Sequence, residues 1–252
     1  MPGWVLVGGV GQLLQGDLDL GRLVADILVA EDLGPHVLVE ELHYGAVAVA
    51  QRLEELDPLG LVLVGAGEAG EAEPGAVRRR RVRSVEVDPV AAQQAIAEAG
   101  TGYVGIDLII DVARALGALP ERTVVIEVEP CTVGPGLELS APARSGLDRA
   151  VAMVRDEAAR LPVIELADRL RLLVAEPGRL APSPALDALT HLLDEVAVLD
   201  ELGRWGRTFW WRDRLRQAIA DGSTGPGMDH LDWGLWWALI EALDRLAGAE
   251  VG

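Results

Sequence analysis

The sequence predicts an α/β fold, a three-layer sandwich with a mostly parallel sheet, followed by a small all-α C-terminal extension. Three observations predict it. Short apolar runs alternate with helix-period segments over residues 1–163, the pattern of strands joined by packing helices. The run Leu61-Val62-Leu63-Val64 is continuously apolar, as a parallel strand buried on both faces should be. The aromatics are lopsided: only Trp4, Tyr44 and Tyr103 precede residue 200, so the texture of the chain changes in its last third.

The elements follow in order. Trp4 to Val7 reads as a buried strand ending in the turn Gly8-Gly9-Val10-Gly11. Leu20, Leu23, Val24, Ile27 and Leu28 set a helix over Leu20 to Ala30. A strand over Val37 to Leu42 and a helix over Ala46 to Leu56 precede the Leu61–Val64 strand, and the Gly/Ala/Glu-rich stretch from Gly65 to Gly75 reads as a loop. Arg78 to Arg83 with Val85 and Val87 alternates as a charged edge strand. Helices over Pro89 to Ala99 and Leu108 to Leu116, a strand over Thr123 to Val128 and a helix over Ser145 to Leu161 complete a first domain, residues 1–163. Pro162, Pro177, Pro182 and Pro184 mark a connecting region. Three helices then fill an extension, residues 164–252: Ala185 to Leu202, Thr208 to Ala220 and, after the breaker Gly222 to Gly227, Asp229 to Leu246, capped by Asp229 or Asp232.

The chain has 252 residues, with 40 acidic against 22 basic side chains and a formal charge of -18. That balance disfavours nucleic acid and anionic lipid as partners. Every basic residue is arginine. The single cysteine, Cys131, excludes an intramolecular disulfide framework and a Cys-rich metal site. The apolar start MPGWVLVGGVG lacks a basic leader, and no apolar run reaches the roughly 18 residues of a membrane span, so a cytoplasmic protein is expected.

Gly9-Val10-Gly11 after a strand suits a dinucleotide turn, with Glu40 as a ribose acid. Against this, the third glycine position holds Leu14, and the acids of Asp17-Leu18-Asp19 would repel a pyrophosphate. A second pattern fits more residues. The segment Gly9-Val10-Gly11-Gln12-Leu13-Leu14-Gln15-Gly16-Asp17-Leu18-Asp19-Leu20-Gly21 resembles the opening motif G-x-G-N-x-L-x-x-D-[DE]-x-x-G of the hydrogenase maturation proteases. Gly9, Gly11, Leu14, Asp17 and Gly21 match, and Gln12 replaces the asparagine. Val39 to Gly45, Asp57 with Leu61 to Ala66, Asp111 to Leu116, Val124 to Pro130 and Leu139-Ser140-Ala141-Pro142 are similar to later segments of that family, so the resemblance covers about residues 3–160.

The resemblance implies an endopeptidase that trims the C-terminal tail of the [NiFe] hydrogenase large subunit, recognising the substrate's nickel through three ligands. Those positions hold Leu18, Gly65 and a residue near Gly105, none of which binds a cation through its side chain. No resident cofactor is expected, and nickel would come only with the substrate. A shifted ligand set could be drawn from Asp17, Asp19, His43 and Asp107; the alternative is that these are solvated loop groups. Two functions follow: a catalytically degenerate relative that binds the hydrogenase large subunit or another protein, or an active endopeptidase using the shifted set.

Other candidates are plainer. Arg78 to Arg81 with Arg83 read first as a solvated edge strand kept from aggregating by its charge; the alternatives are that they attract an acidic partner or pair with the chain's own acids. His191 lies one turn from both Asp187 and Glu195, and Cys131 has no histidine near it in sequence. In the extension, Trp233, Trp236, Trp237 and Ile240 share a helix face, while Trp210 and Trp211 sit on the preceding helix among Arg204, Arg207, Arg212, Arg214 and Arg216. These tryptophans form either a small core or a partner surface, including a possible homodimer contact through the Trp-rich helices.

Overall fold

The computed structural model describes residues 4–31, 33–34, 36–67, 70, 72–83, 88–100, 104–175, 181–224 and 233–249. Strands β1 (Val5–Gly9), β2 (Val37–Glu41), β3 (Gly60–Ala66), β4 (Val77–Val82) and β5 (Thr123–Val128) form one sheet in the order β2-β1-β3-β5-β4. All pairings are parallel except β4 with β5. Between them run α1 (Leu20–Val29), α2 (Ala46–Leu56), α3 (Pro89–Ala99) and α4 (Ile106–Ala115). The chain is then helical through α5 (Ala141–Val174), α6 (Pro184–Leu202), α7 (Thr208–Ala220) and α8 (Trp233–Ala249). Val85, Val87, Asp229 and Asp232 lie outside the described residues. Among the described residues no helix is long and apolar enough to cross a membrane.

Strand alternation sorts the sheet's side chains between two helical layers. Leu6, Leu61, Leu63 and Val125 pack with Val49 and Leu53 of α2 and Ile109 and Val112 of α4. Their sequence neighbours Val7, Val62, Val64 and Ile126 are also buried and belong to the opposite face. On that face α1 lies so close that a Cβ at Gly21 would stand 2.1 Å from the Val10 carbonyl oxygen and 2.3 Å from that of Val64. Only glycine permits this backbone contact, which explains its place in the opening motif.

Two compact units make up the chain, residues 1–158 and 159–252. Helix α5 contains residues of both. Pro162, expected to end a helix, lies inside it. Its missing N–H leaves the carbonyl four residues back, at Ala158, without a helical donor, and the boundary between the units falls there. The helix continues because Val163, Ile164, Ala167 and Leu170 beyond the proline are all buried. In the second unit they join Leu189, Leu192 and Val196 of α6, Leu215 of α7 and Leu239, Ile240 and Leu243 of α8 in one apolar core.

The edge strand β4 is where the arginine run sits, and its charges are spent on the protein's own acids. Arg79 Nε lies 2.7 Å from Glu157 Oε1 and an η nitrogen 3.1 Å from Oε2, with both side chains nearly inaccessible. Arg81 donates to the carbonyl oxygens of Glu121 and Thr123. A solvated edge would leave these groups in water; here they clamp β4 to its neighbours. Removing one partner of the buried pair strands a charge, so Glu157→Ala should cost about 3–5 kcal/mol in urea unfolding, while the apolar double variant Arg79→Met/Glu157→Leu should cost far less.

Candidate functional site

A cleft of about 600 Å³ opens where β1, β3 and β5 end, the place where open parallel sheets bind their ligands. Its apolar wall includes Val10, Leu18, Val104, Ile106 and Val133, and its polar groups include Gln12, Gln94, Glu98, Asp107, Asp111 and Glu127. The Gln12 amide donates to the Val104 carbonyl at 3.3 Å, tying the turn after β1 to the segment before α4. Arg80 reaches from β4 to place one η nitrogen 2.8 Å from Asp107 and 3.1 Å from Glu127. Arg114 pairs with Asp111 at 2.9 Å.

Asp17 is fully buried at the 3₁₀ turn Asp17–Asp19. Its Oδ2 accepts from the backbone N–H groups of Cys131 and Thr132 at 2.8 and 2.9 Å and from the hydroxyls of Thr132 and Ser140 at 3.3 and 2.8 Å. Oδ1 accepts from the Ser140 N–H at 2.7 Å. Ser140 in turn caps α5, its hydroxyl oxygen accepting from the Ala143 N–H at 3.3 Å. Burial alone raises the Asp17 pKa, but the hydrogen bonds from Ser140, Thr132 and Cys131 outweigh it and hold the carboxyl below its ordinary value. The carboxylate is therefore an anchor with its acceptor sites filled by its own chain.

The other expected ligands are elsewhere engaged. Asp19 bonds the Arg22 guanidinium at 2.6 Å, His43 lies 3.5 Å from Glu41, and Asp107 faces Arg80. The shifted set Asp17, Asp19, His43 and Asp107 is not brought together: among the described residues no group of three or more His, Cys, Asp or Glu could hold a metal ion. Nor do the positions named by the resemblance fit a divalent cation. Leu18 and Gly105 line the cleft with no donor side chain. At Gly65 a Cβ would stand 2.7 Å from the Val10 carbonyl oxygen and 3.0 Å from Ile106 Cδ1. That same carbonyl oxygen also lies against the α1 backbone, 2.1 Å from where a Cβ at Gly21 would stand.

The tryptophans divide. Trp236 is only 1% exposed and belongs to the second unit's core, which corrects its assignment to a partner surface. Trp211 packs partly against that core and stacks on His191 with ring centroids 4.2 Å apart. Trp210 and Trp237 are exposed, at 45% and 42%. The Trp233 side chain lies outside the described residues. His191, read in the sequence only as a surface partner of Asp187 and Glu195, stacks on a tryptophan that sequence spacing could not bring to it.

No protein-family model matches the chain, and no curated protein matches it. Solved structures do. The structures similar to it include hydrogenase maturation peptidases. A hydrogenase 2 maturation peptidase from Thaumarchaeota archaeon SCGC_AB-539-E09 is 28% identical, with 60% of this chain and 95% of that one covered and a TM-score of 0.44. The hydrogenase maturating endopeptidase HybD from E. coli is 20% identical over 60% of this chain and 89% of its own, with a TM-score of 0.42. The [NiFe] hydrogenase maturation protease HycI from Thermococcus kodakarensis is 19% identical over 62% and 92%, with a TM-score of 0.44.

The anchor can be tested by titration. Asp17→Asn replaces a full acceptor with an amide and leaves buried N–H groups unpaired, at a cost of about 2–4 kcal/mol at neutral pH. Because the folded-state pKa is lowered, the carboxylate's contribution is complete above the ordinary aspartate value, about 3.9, and fades as pH falls through its folded value. Urea unfolding at pH 7 and pH 3 should therefore show a smaller acid loss in Asp17→Asn than in the wild type; equal losses would remove the anchor's role.

Proposed function

We propose that the chain is a catalytically degenerate member of hydrogenase maturation, a cytoplasmic accessory protein that binds the large subunit, or a tail segment of it, without cutting it. The motif residues Gly9, Gly11, Leu14, Asp17 and Gly21 support the family reading. The observation that carries the loss of cutting is Gly65. A carboxylate there needs a Cβ that would press the Val10 carbonyl oxygen at 2.7 Å, closer than such contacts allow. Leu18 and Gly105 supply no donor beside it. What remains is a cleft with an apolar wall, the amides of Gln12 and Gln94, and the acids Glu98, Asp107, Asp111 and Glu127, the last three paired with Arg80 or Arg114, suited to holding an extended segment by contact and hydrogen bonding.

The reading is tested by mixing the protein with an unprocessed, nickel-loaded hydrogenase large subunit. The expected result is co-migration of the two proteins with the tail intact; tail removal that depends on this chain would overturn it. A second check asks whether the lost ligand can be restored. Gly65→Asp should lower stability by about 1–3 kcal/mol through overpacking and add no nickel binding in calorimetry. A stable variant that binds nickel would show that the cleft still has room for the chemistry.

A further inference from the structure

The outer face of α7 carries a stripe of exposed residues at helical spacing, Arg207, Trp210, Arg214 and Gln217. The Arg207 guanidinium carbon lies 4.3 Å from the Trp210 ring centroid, and that of Arg214 lies 5.5 Å from the same ring. Neither arginine has a carboxylate partner among the described residues. In a chain with 40 acids for 22 arginines that is the unusual condition. The other arginines of this helix behave otherwise: Arg212 pairs with Asp213 and Asp244, and Arg216 with Asp244. Glu195, which touches Arg207, accepts from its backbone N–H at 2.8 Å rather than from its guanidinium.

We infer that this stripe is a docking site for a short acidic segment of a partner protein. Stacking on the indole uses the face of a guanidinium and leaves its N–H edge free for bidentate bonding to a carboxylate. It also holds the long side chain in place before binding, which reduces the ordering cost. Arg207 and Arg214 are seven positions apart, so about 10 Å of helix separates them. An extended segment covers that span in about three residues, so carboxylates two or three positions apart face both arginines. The same shortness argues against nucleic acid. A polyanion would run past the stripe onto a chain of net charge -18, where it is repelled.

Fluorescence polarisation on the full chain tests this with two labelled octapeptides, four repeats of Glu-Ala and four repeats of Gln-Ala. The glutamate peptide should bind, weaken with added salt, and bind at least tenfold better than the glutamine one. Arg207→Gln/Arg214→Gln should weaken it by about tenfold, the sum of two exposed charge-assisted contacts. Arg207→Lys/Arg214→Lys, which keeps the charge and loses the fork, should weaken it less but measurably. Arg144→Gln, an exposed arginine on the first unit that faces Glu138, should leave it unchanged, and circular dichroism should show each variant folded. Equal binding of both peptides, or equal loss in Arg144→Gln, would overturn the inference. So would stronger competition by an octamer of deoxythymidine, or a dimer of this chain that the double variant dissolves.

Discussion

The first unit hangs on one buried carboxylate. Strands β1 and β5 are not neighbours, since β3 lies between them, and the segments that leave their carboxyl ends meet through the isolated backbone bridges Gln15–Gly136 and Gly16–Val133. Asp17 joins them. It stands in the segment after β1 and gathers donors from Cys131, Thr132 and Ser140, all beyond β5. Leu18 follows Asp17 in the chain, Val133 follows Thr132, and both line the cleft. The bonds that satisfy the carboxylate thus fix two walls of the candidate site. They also fix the start of α5, because Ser140 both donates to Asp17 and caps that helix. Such a cradle stabilises a buried charge only because its acceptor capacity is filled.

Much of this fold was legible in the sequence because it is written in short-range patterns. The apolar run at Leu61–Val64 marked the central strand β3, and the periodicity of Leu20, Val24 and Leu28 marked α1, each within a residue or two of its bounds. What escaped was long-range. Pro162 ordinarily ends a helix, but the apolar residues after it find a core that holds the helix together. Asp17 stood out through the motif, yet its role depends on groups 114 to 123 positions away, which no local window reveals. The tryptophans were ambiguous for the same reason: Trp236 and Trp237 are adjacent in sequence, but one enters the core and the other faces outward.

Charge placement gives the two units different characters. The excess of acids means that an arginine in this chain usually finds a carboxylate within reach, and β4 uses this to secure an edge strand. Arg79 and Arg80 bond Glu157, Glu127 and Asp107, turning a run that would repel itself into a set of cross-links. On α7 the arginines instead divide by side. Those paired with Asp244 tie α7 to α8, while Arg207 and Arg214 lie against the exposed Trp210. Intramolecular pairing is thus largely complete on the sheet and incomplete on the outer helix face.

The opening motif itself separates into scaffold and chemistry. Gly21 admits α1 to the sheet, and Asp17 holds the far loop; both are present and both do structural work. The positions at which the sequence resemblance implies ligands hold Leu18, Gly65 and a residue near Gly105. Both Gly21 and Gly65 lie against the Val10 carbonyl oxygen, at 2.1 and 2.7 Å from where their Cβ atoms would stand. A larger residue at 65 would have to displace Val10, whose N–H is bonded to the Val64 carbonyl at 2.8 Å. The tight packing is local to the backbone: with α1 seated as it is, a side chain at position 65 must shift the Val10 carbonyl or Ile106, whereas Ala66, the last residue of β3, lines the cleft.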